Sequence, residues 1–101
     1  MRQFEDASGK RILVVDDDRN LRKIIQTNLE LAGYDVSTAP NGEEALKLLD
    51  SMQPDLVVLD VMMPLMDGYE VARRIRRHPS NTHVPIIMLT AKSEVEDKLA
   101  G

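Results

Sequence analysis

The stretch ILVVDDD carries four branched apolar residues, 12–15, straight into three consecutive aspartates, Asp16, Asp17 and Asp18, and a fourth, Asp60, closes the apolar run of residues 56–59. Carboxylates gathered within a few ångströms raise one another's pKa, so they cannot all stay ionised without a counter-charge. A bound divalent cation supplies one. Mg2+ matches best, because it takes oxygen ligands, keeps several waters and uses one or two carboxylates together with phosphate oxygens. The chain has no cysteine, and its two histidines, His78 and His83, lie together around Pro79. No thiolate or imidazole set is therefore offered to zinc or copper. Asp18 is reserved for another task, capping the helix that follows it.

The chemistry works only if distant residues meet. Residues 12–15, 56–59 and 86–89 are unbroken apolar runs, the mark of strands covered on both faces in a parallel sheet. Residues 34–38 follow Gly33 and alternate, which suits a half-exposed edge strand. Between the strands the spacing turns helical. Leu21, Ile24, Ile25 and Leu29 form one stripe, with Asp18 as N-cap and Gly33 as the stop. Residues 43–52 place Ala45, Leu46, Leu48 and Leu49 on an apolar face, and residues 69–77 do the same with Val71, Ala72 and Ile75. Ser93 starts a last helix through EVEDKLA. The order β-α-β-α-β-α-β-α predicts an α/β fold with a parallel sheet. On that order Asp16 and Asp17, Asp60 and Thr90 all follow carboxyl ends of strands, where open parallel sheets bind their ligands.

Composition agrees with a single domain: 101 residues, 43% apolar and 30% charged. A net charge of −4 and a pI of about 5.1 disfavour nucleic acid and anionic membrane as direct partners. No apolar run approaches the ~20 residues that span a bilayer. The first ten residues lack a signal-peptide core and are expected to be a flexible leader, so the expected location is the cytoplasm.

Together, RILVVDDD, PDLVVLDVMMPLMDGYEV and VPIIMLTA resemble the receiver domains of two-component response regulators, in the family's order and approximate spacing. The resemblance implies a flavodoxin-like, doubly wound parallel sheet. It implies a signalling domain rather than an enzyme, one that takes a phosphoryl group from a histidine kinase or phosphotransfer protein. By position, Asp60 resembles the phospho-acceptor, Asp16 and Asp17 the acidic pair at Mg2+, and the Met62 carbonyl a further metal ligand. Thr90 resembles the hydroxyl that bonds a phosphoryl oxygen, and Ala91 the small neighbour that keeps the site open. Pro64 and the MDGY turn fix where Asp60 points, while Met62, Met63 and Met66 are expected mainly to pack.

A dehalogenase-like phosphatase also pairs an aspartate nucleophile with an acid two residues on, as Asp16 and Asp18 would. Arg19 and Asn20 do not continue that pattern. The resemblance to receivers covers residues 11–101, and the sequence reaches Gly101 before the family's fifth strand and the lysine after it. The expected sheet is therefore 2-1-3-4, with residues 86–89 as an open edge through which copies could pair as a homo-oligomer or domain-swapped dimer. The alternative function is a receiver fragment that only binds metal or other proteins.

Overall fold

The elements are β1 (Arg11–Val15), α1 (Arg19–Leu31), β2 (Asp35–Ala39), α2 (Gly42–Met52), β3 (Leu56–Asp60), α3 (Gly68–Arg77) and β4 (Ile86–Leu89). They are seen in a computed structural model that describes residues 9–79 and 83–89. Every strand pair is parallel and the sheet order is β2-β1-β3-β4, the doubly wound arrangement expected. The helix expected after Ser93 and most of the leader lie outside the described residues. No helix among the described residues is long and apolar enough to cross a membrane.

Side chains of a strand alternate between faces, so β1 and β3 feed two cores at once. Leu13, Val15, Val57 and Leu59 point to one side, where they bury Ala45 and Leu49 of α2 and Val71 and Ile75 of α3. Ile12, Val14 and Val58 point to the other, against Ile25 and Leu29 of α1. Right-handed crossovers require this split, because the chain reverses its direction across the sheet after β2.

The expected stripe on α1 divides. Ile25 and Leu29 pack on the sheet, while Leu21 and Ile24 stay 42% and 56% exposed. One residue along a helix turns it by about 100°, so with Ile25 facing the sheet Ile24 is carried to the flank. Leu21 sits at the start of α1, near the end of β1. The strand expected over residues 34–38 runs one residue later, because Ala39 still pairs with Val15.

Each helix opens on a side-chain acceptor. Asp18 accepts from the amides of Asn20 and Leu21, Asn41 from Glu44 and Asp67 from Glu70, satisfying donors that the first turn leaves free. Gly33, at φ +102°, ends α1, and Gln53, at φ +46° before Pro54, ends α2. On α3, Arg74 and Arg73 pull the Glu70 carboxyl down to about 2, at 2.9 and 2.7 Å.

Two glycines mark close approaches. A Cβ on Gly42 would lie 2.6 Å from Val71 Cγ2, whereas one on Gly68 would lie 2.4 Å from the Asp60 carbonyl oxygen and 2.8 Å from Val61 Cα. Side chains can yield and backbone cannot. Gly68→Ala is expected to cost about 3 kcal/mol, and Gly42→Ala about 1 kcal/mol after the gain in helix propensity. Urea unfolding checks this, and equal losses would contradict it.

Candidate functional site

Val15 and Leu59 are partners across β1 and β3, so the chain leaves both strands at the same level with Asp16 and Asp60 side by side. Asp17 follows on the β1 side. One ligand oxygen from each of Asp16, Asp17 and Asp60 lies within 4.8 Å of the other two. Among the described residues it is the one such group of three. The expected convergence is thus met for these three aspartates.

Asp16 is buried, at 1% exposure, and gripped at several points. Its amide donates to the Ala39 carbonyl at 3.2 Å. Its Oδ1 accepts from the Asp18 amide at 2.9 Å, and its carbonyl accepts from Arg22 Nη1 at 2.6 Å. Its Oδ2 is buried with no hydrogen-bond partner. A buried polar atom left unpaired costs roughly 1–3 kcal/mol, and more when charged, so an oxygen in this state is one that a cation would satisfy.

Asp60 is half-buried, and its carboxyl is pushed up from 3.8 to about 6. Loss of solvent is the main cause. The Met62 amide, donating to Oδ1 at 3.1 Å, opposes the rise, while the charge of Asp16 and hydrogen bonds shared with Asp16 and Asp17 add to it. The donor set is oxygen only, which fits a hard divalent cation better than zinc or copper.

Met62 stands two residues past Asp60 with its side chain exposed, while Met63 is buried and Met66 packs on the core. Thr90 and Ala91 lie outside the described residues. Leu89, the residue before Thr90, is the β4 partner of Asp60. The loop after β3 is held back on the strand by bonds from the Gly68 amide to the Val61 carbonyl, 2.9 Å, and from Val61 to Leu89, 3.1 Å. Leu65, almost fully exposed at the loop tip, adopts a left-handed φ of +71°; an apolar, non-glycine residue gives no hint of that in sequence.

Sequence reasoning missed two further contacts. Arg22 carries no motif that announces its bond to Asp16. Nor does any motif announce that His78 meets Asp50 Oδ1 at 2.6 Å, joining the last turn of α2 to the end of α3 at the opposite end of the sheet.

A family model for the response regulator receiver domain matches residues 12–101. A probable transcriptional regulator, ycf27, of Cyanidium caldarium is 52% identical over 98% of this chain and 40% of its own length. The alkaline phosphatase synthesis transcriptional regulatory protein PhoP of Bacillus subtilis is 52% identical over 92% of this chain and 38% of its own length. The chain thus spans about 40% of the length of these curated relatives. Among solved structures, the response regulator TrrA of Thermotoga maritima, in complex with Mg(2+)-BeF, superposes with a TM-score of 0.76 at 47% identity, over 90% of this chain and 77% of that one. The N-terminal domain of a response regulator receiver protein from Methanoculleus marisnigri gives 0.79 at 40% identity, over 92% and 79%.

The raised Asp60 pKa has a sign that can be tested without metal. Well below 3.8 the group is protonated in folded and unfolded chains alike and contributes nothing. Between its ordinary value of 3.8 and about 6 the unfolded chain ionises first, so folding loses stability as pH rises. Above 6 the loss is complete and constant. After discounting for solvent, Asp60→Asn is expected to stabilise the metal-free chain by about 1–2 kcal/mol at pH 7 and scarcely at all at pH 3.5. Urea titrations in chelator at both pH values measure this, and a gain that does not depend on pH would refute the assignment.

Proposed function

Because this chain belongs to the response regulator receiver domain family, the phospho-acceptor signalling domains of two-component systems, we propose that Asp60 accepts the phosphoryl group. Its donor is a histidine kinase or a phosphotransfer protein. Asp16, Asp17, Asp60 and the main-chain carbonyl of Met62 would hold Mg2+. The observation that carries this reading is the meeting of three carboxylates at the ends of β1 and β3, one of them with a buried, unpartnered oxygen.

A bound Mg2+ supplies positive charge that offsets the carboxylates and the incoming phosphoryl oxygens. The chain's residues do the rest. At pH 7 an Asp60 carboxyl titrating near 6 is mostly ionised, and therefore nucleophilic. One of its oxygens attacks phosphorus, the bond from phosphorus to the donor's nitrogen breaks, and the electron pair stays on that nitrogen, which takes a proton. Asp60 is left as an acyl phosphate. The Met62 amide holds Oδ1, which aims the carboxylate and favours its ionised form. The family resemblance gives Thr90 the role of hydrogen-bonding a phosphoryl oxygen, and Ala91 that of leaving room for it.

The chain would be the receiving part of a longer regulator, and its transcriptional-regulator relatives support a cytoplasmic setting.

Two measurements test the assignment. A small phosphodonor with Mg2+ should add one phosphoryl group, located on Asp60 by mass spectrometry, absent in Asp60→Asn and slowed by about tenfold to a hundredfold in Asp17→Asn. Modification that persists in Asp60→Asn would overturn it. Millimolar Mg2+ should also raise the unfolding midpoint by mass action, and this rise should vanish in Asp17→Asn.

A further inference from the structure

We propose that Arg22 is a positioning residue of the acid site, setting through the Asp16 carbonyl the direction in which Asp17 presents its carboxylate. The inference rests on the reading of Asp16, Asp17 and Asp60 as the Mg2+ site.

The chain passes from β1 to α1 through Asp16, Asp17 and Asp18 alone, with no glycine or proline to shape the turn. Asp16 itself is fixed from both sides, by its amide on Ala39 and its Oδ1 on the Asp18 amide. Asp17 is exposed, and among the described residues no hydrogen bond holds its backbone. A peptide group is planar, so an anchor on the Asp16 carbonyl oxygen also fixes the Asp17 nitrogen in the same plane. Arg22 Nη1, at 2.6 Å, is that anchor, a short bond from a charged donor. Arg22 is in turn held in α1 by its own amide, which donates to the Asp18 carbonyl at 2.9 Å.

Electrostatics alone would not place an arginine here. The first turn of α1 holds no acidic residue, and a cation at a helix N-terminus opposes the helix dipole. A guanidinium beside a cation site also repels the cation. The repulsion predicts that removing Arg22 should tighten Mg2+ binding. The positioning role predicts the opposite sign, which separates the two. Lys23 is the natural control: it adds a neighbouring positive charge without any hydrogen bond to the β1–α1 turn.

The experiment is a Mg2+ titration of the 101-residue chain, followed by amide chemical shifts around residues 16–18 and 61–62, alongside urea unfolding in chelator. Arg22→Gln should weaken Mg2+ binding by about fivefold to tenfold in protein that remains folded. Arg22→Lys should recover part of the loss, since an ammonium can reach the carbonyl but lacks the fixed, planar donor geometry of the guanidinium. Lys23→Gln should bind Mg2+ as well as the unsubstituted chain or slightly better. Folded Arg22→Gln that binds Mg2+ as tightly as the unsubstituted chain, or more tightly, overturns the proposal. If Arg22→Gln does not fold, Arg22→Lys decides, with partial loss supporting the proposal and full affinity overturning it. An unsubstituted chain without saturable shifts overturns the metal reading of the acid cluster and this proposal with it, a result distinct from normal binding by the variant.

Discussion

Parallel pairing of β1 with β3 is the constraint on which the rest depends. Its register puts Val15 opposite Leu59 and so delivers Asp16 and Asp60 to one spot, despite 43 residues of intervening chain. The price is electrostatic. Lost solvent, and after it like charge, push Asp60 to about 6, and Asp16 Oδ2 is buried without a partner. Such an arrangement survives because the strands beneath it are locked by fully buried side chains on both faces, Leu13, Val15, Val57 and Leu59 on one and Ile12 and Val14 on the other. The stability of the sheet and the strain of the site are therefore two sides of one register: a slip by one residue would separate the acids and turn the core side chains to the wrong face.

Much of this was legible because the decisive signals are local and chemically distinct. Four unbroken, mostly β-branched apolar residues in β1 and four in β3 mark strands buried on both faces, and an acid directly follows each run. Strand order came from the resemblance to receiver domains, and handedness then placed the helices on the two faces. What escaped were features that local pattern does not encode. The spacing of Leu21, Ile24, Ile25 and Leu29 satisfies a helical stripe, yet the sheet contacts only Ile25 and Leu29, because the width of a stripe says nothing about how a helix lies on its neighbour. The left-handed Leu65 and the pairing of His78 with Asp50 arise from how elements meet, and no residue type signals either.

The three aspartates after β1 show how identical residues diverge by position. Asp16 points inward, where the end of the strand buries it. Asp17, one residue on, turns to the exposed side of the turn but keeps an oxygen within reach of its neighbours. Asp18 faces the helix and accepts from the amides of Asn20 and Leu21. Its own amide, donating to Asp16 Oδ1, makes the cap of α1 and the inner acid of the cluster parts of one hydrogen-bonded turn. Whatever disturbs the start of α1 is thereby felt at Asp16, which is why the first turn of this helix belongs to the chemistry as much as to the fold.

The same logic governs the other side of the site. Gly68 begins α3, yet the space where its side chain would be is filled by the Asp60 carbonyl and Val61, and its amide reaches back to the Val61 carbonyl. Helix and strand end are thus in direct backbone contact, with no side chain between them to absorb movement. On the near side of the loop, the Met62 amide on Asp60 Oδ1 ties the carboxylate to the same backbone. A change in the charge on Asp60 must therefore alter the hydrogen bond to Met62 first. From there it has a short path to the start of α3, through the backbone contact that Gly68 makes with Asp60 and Val61.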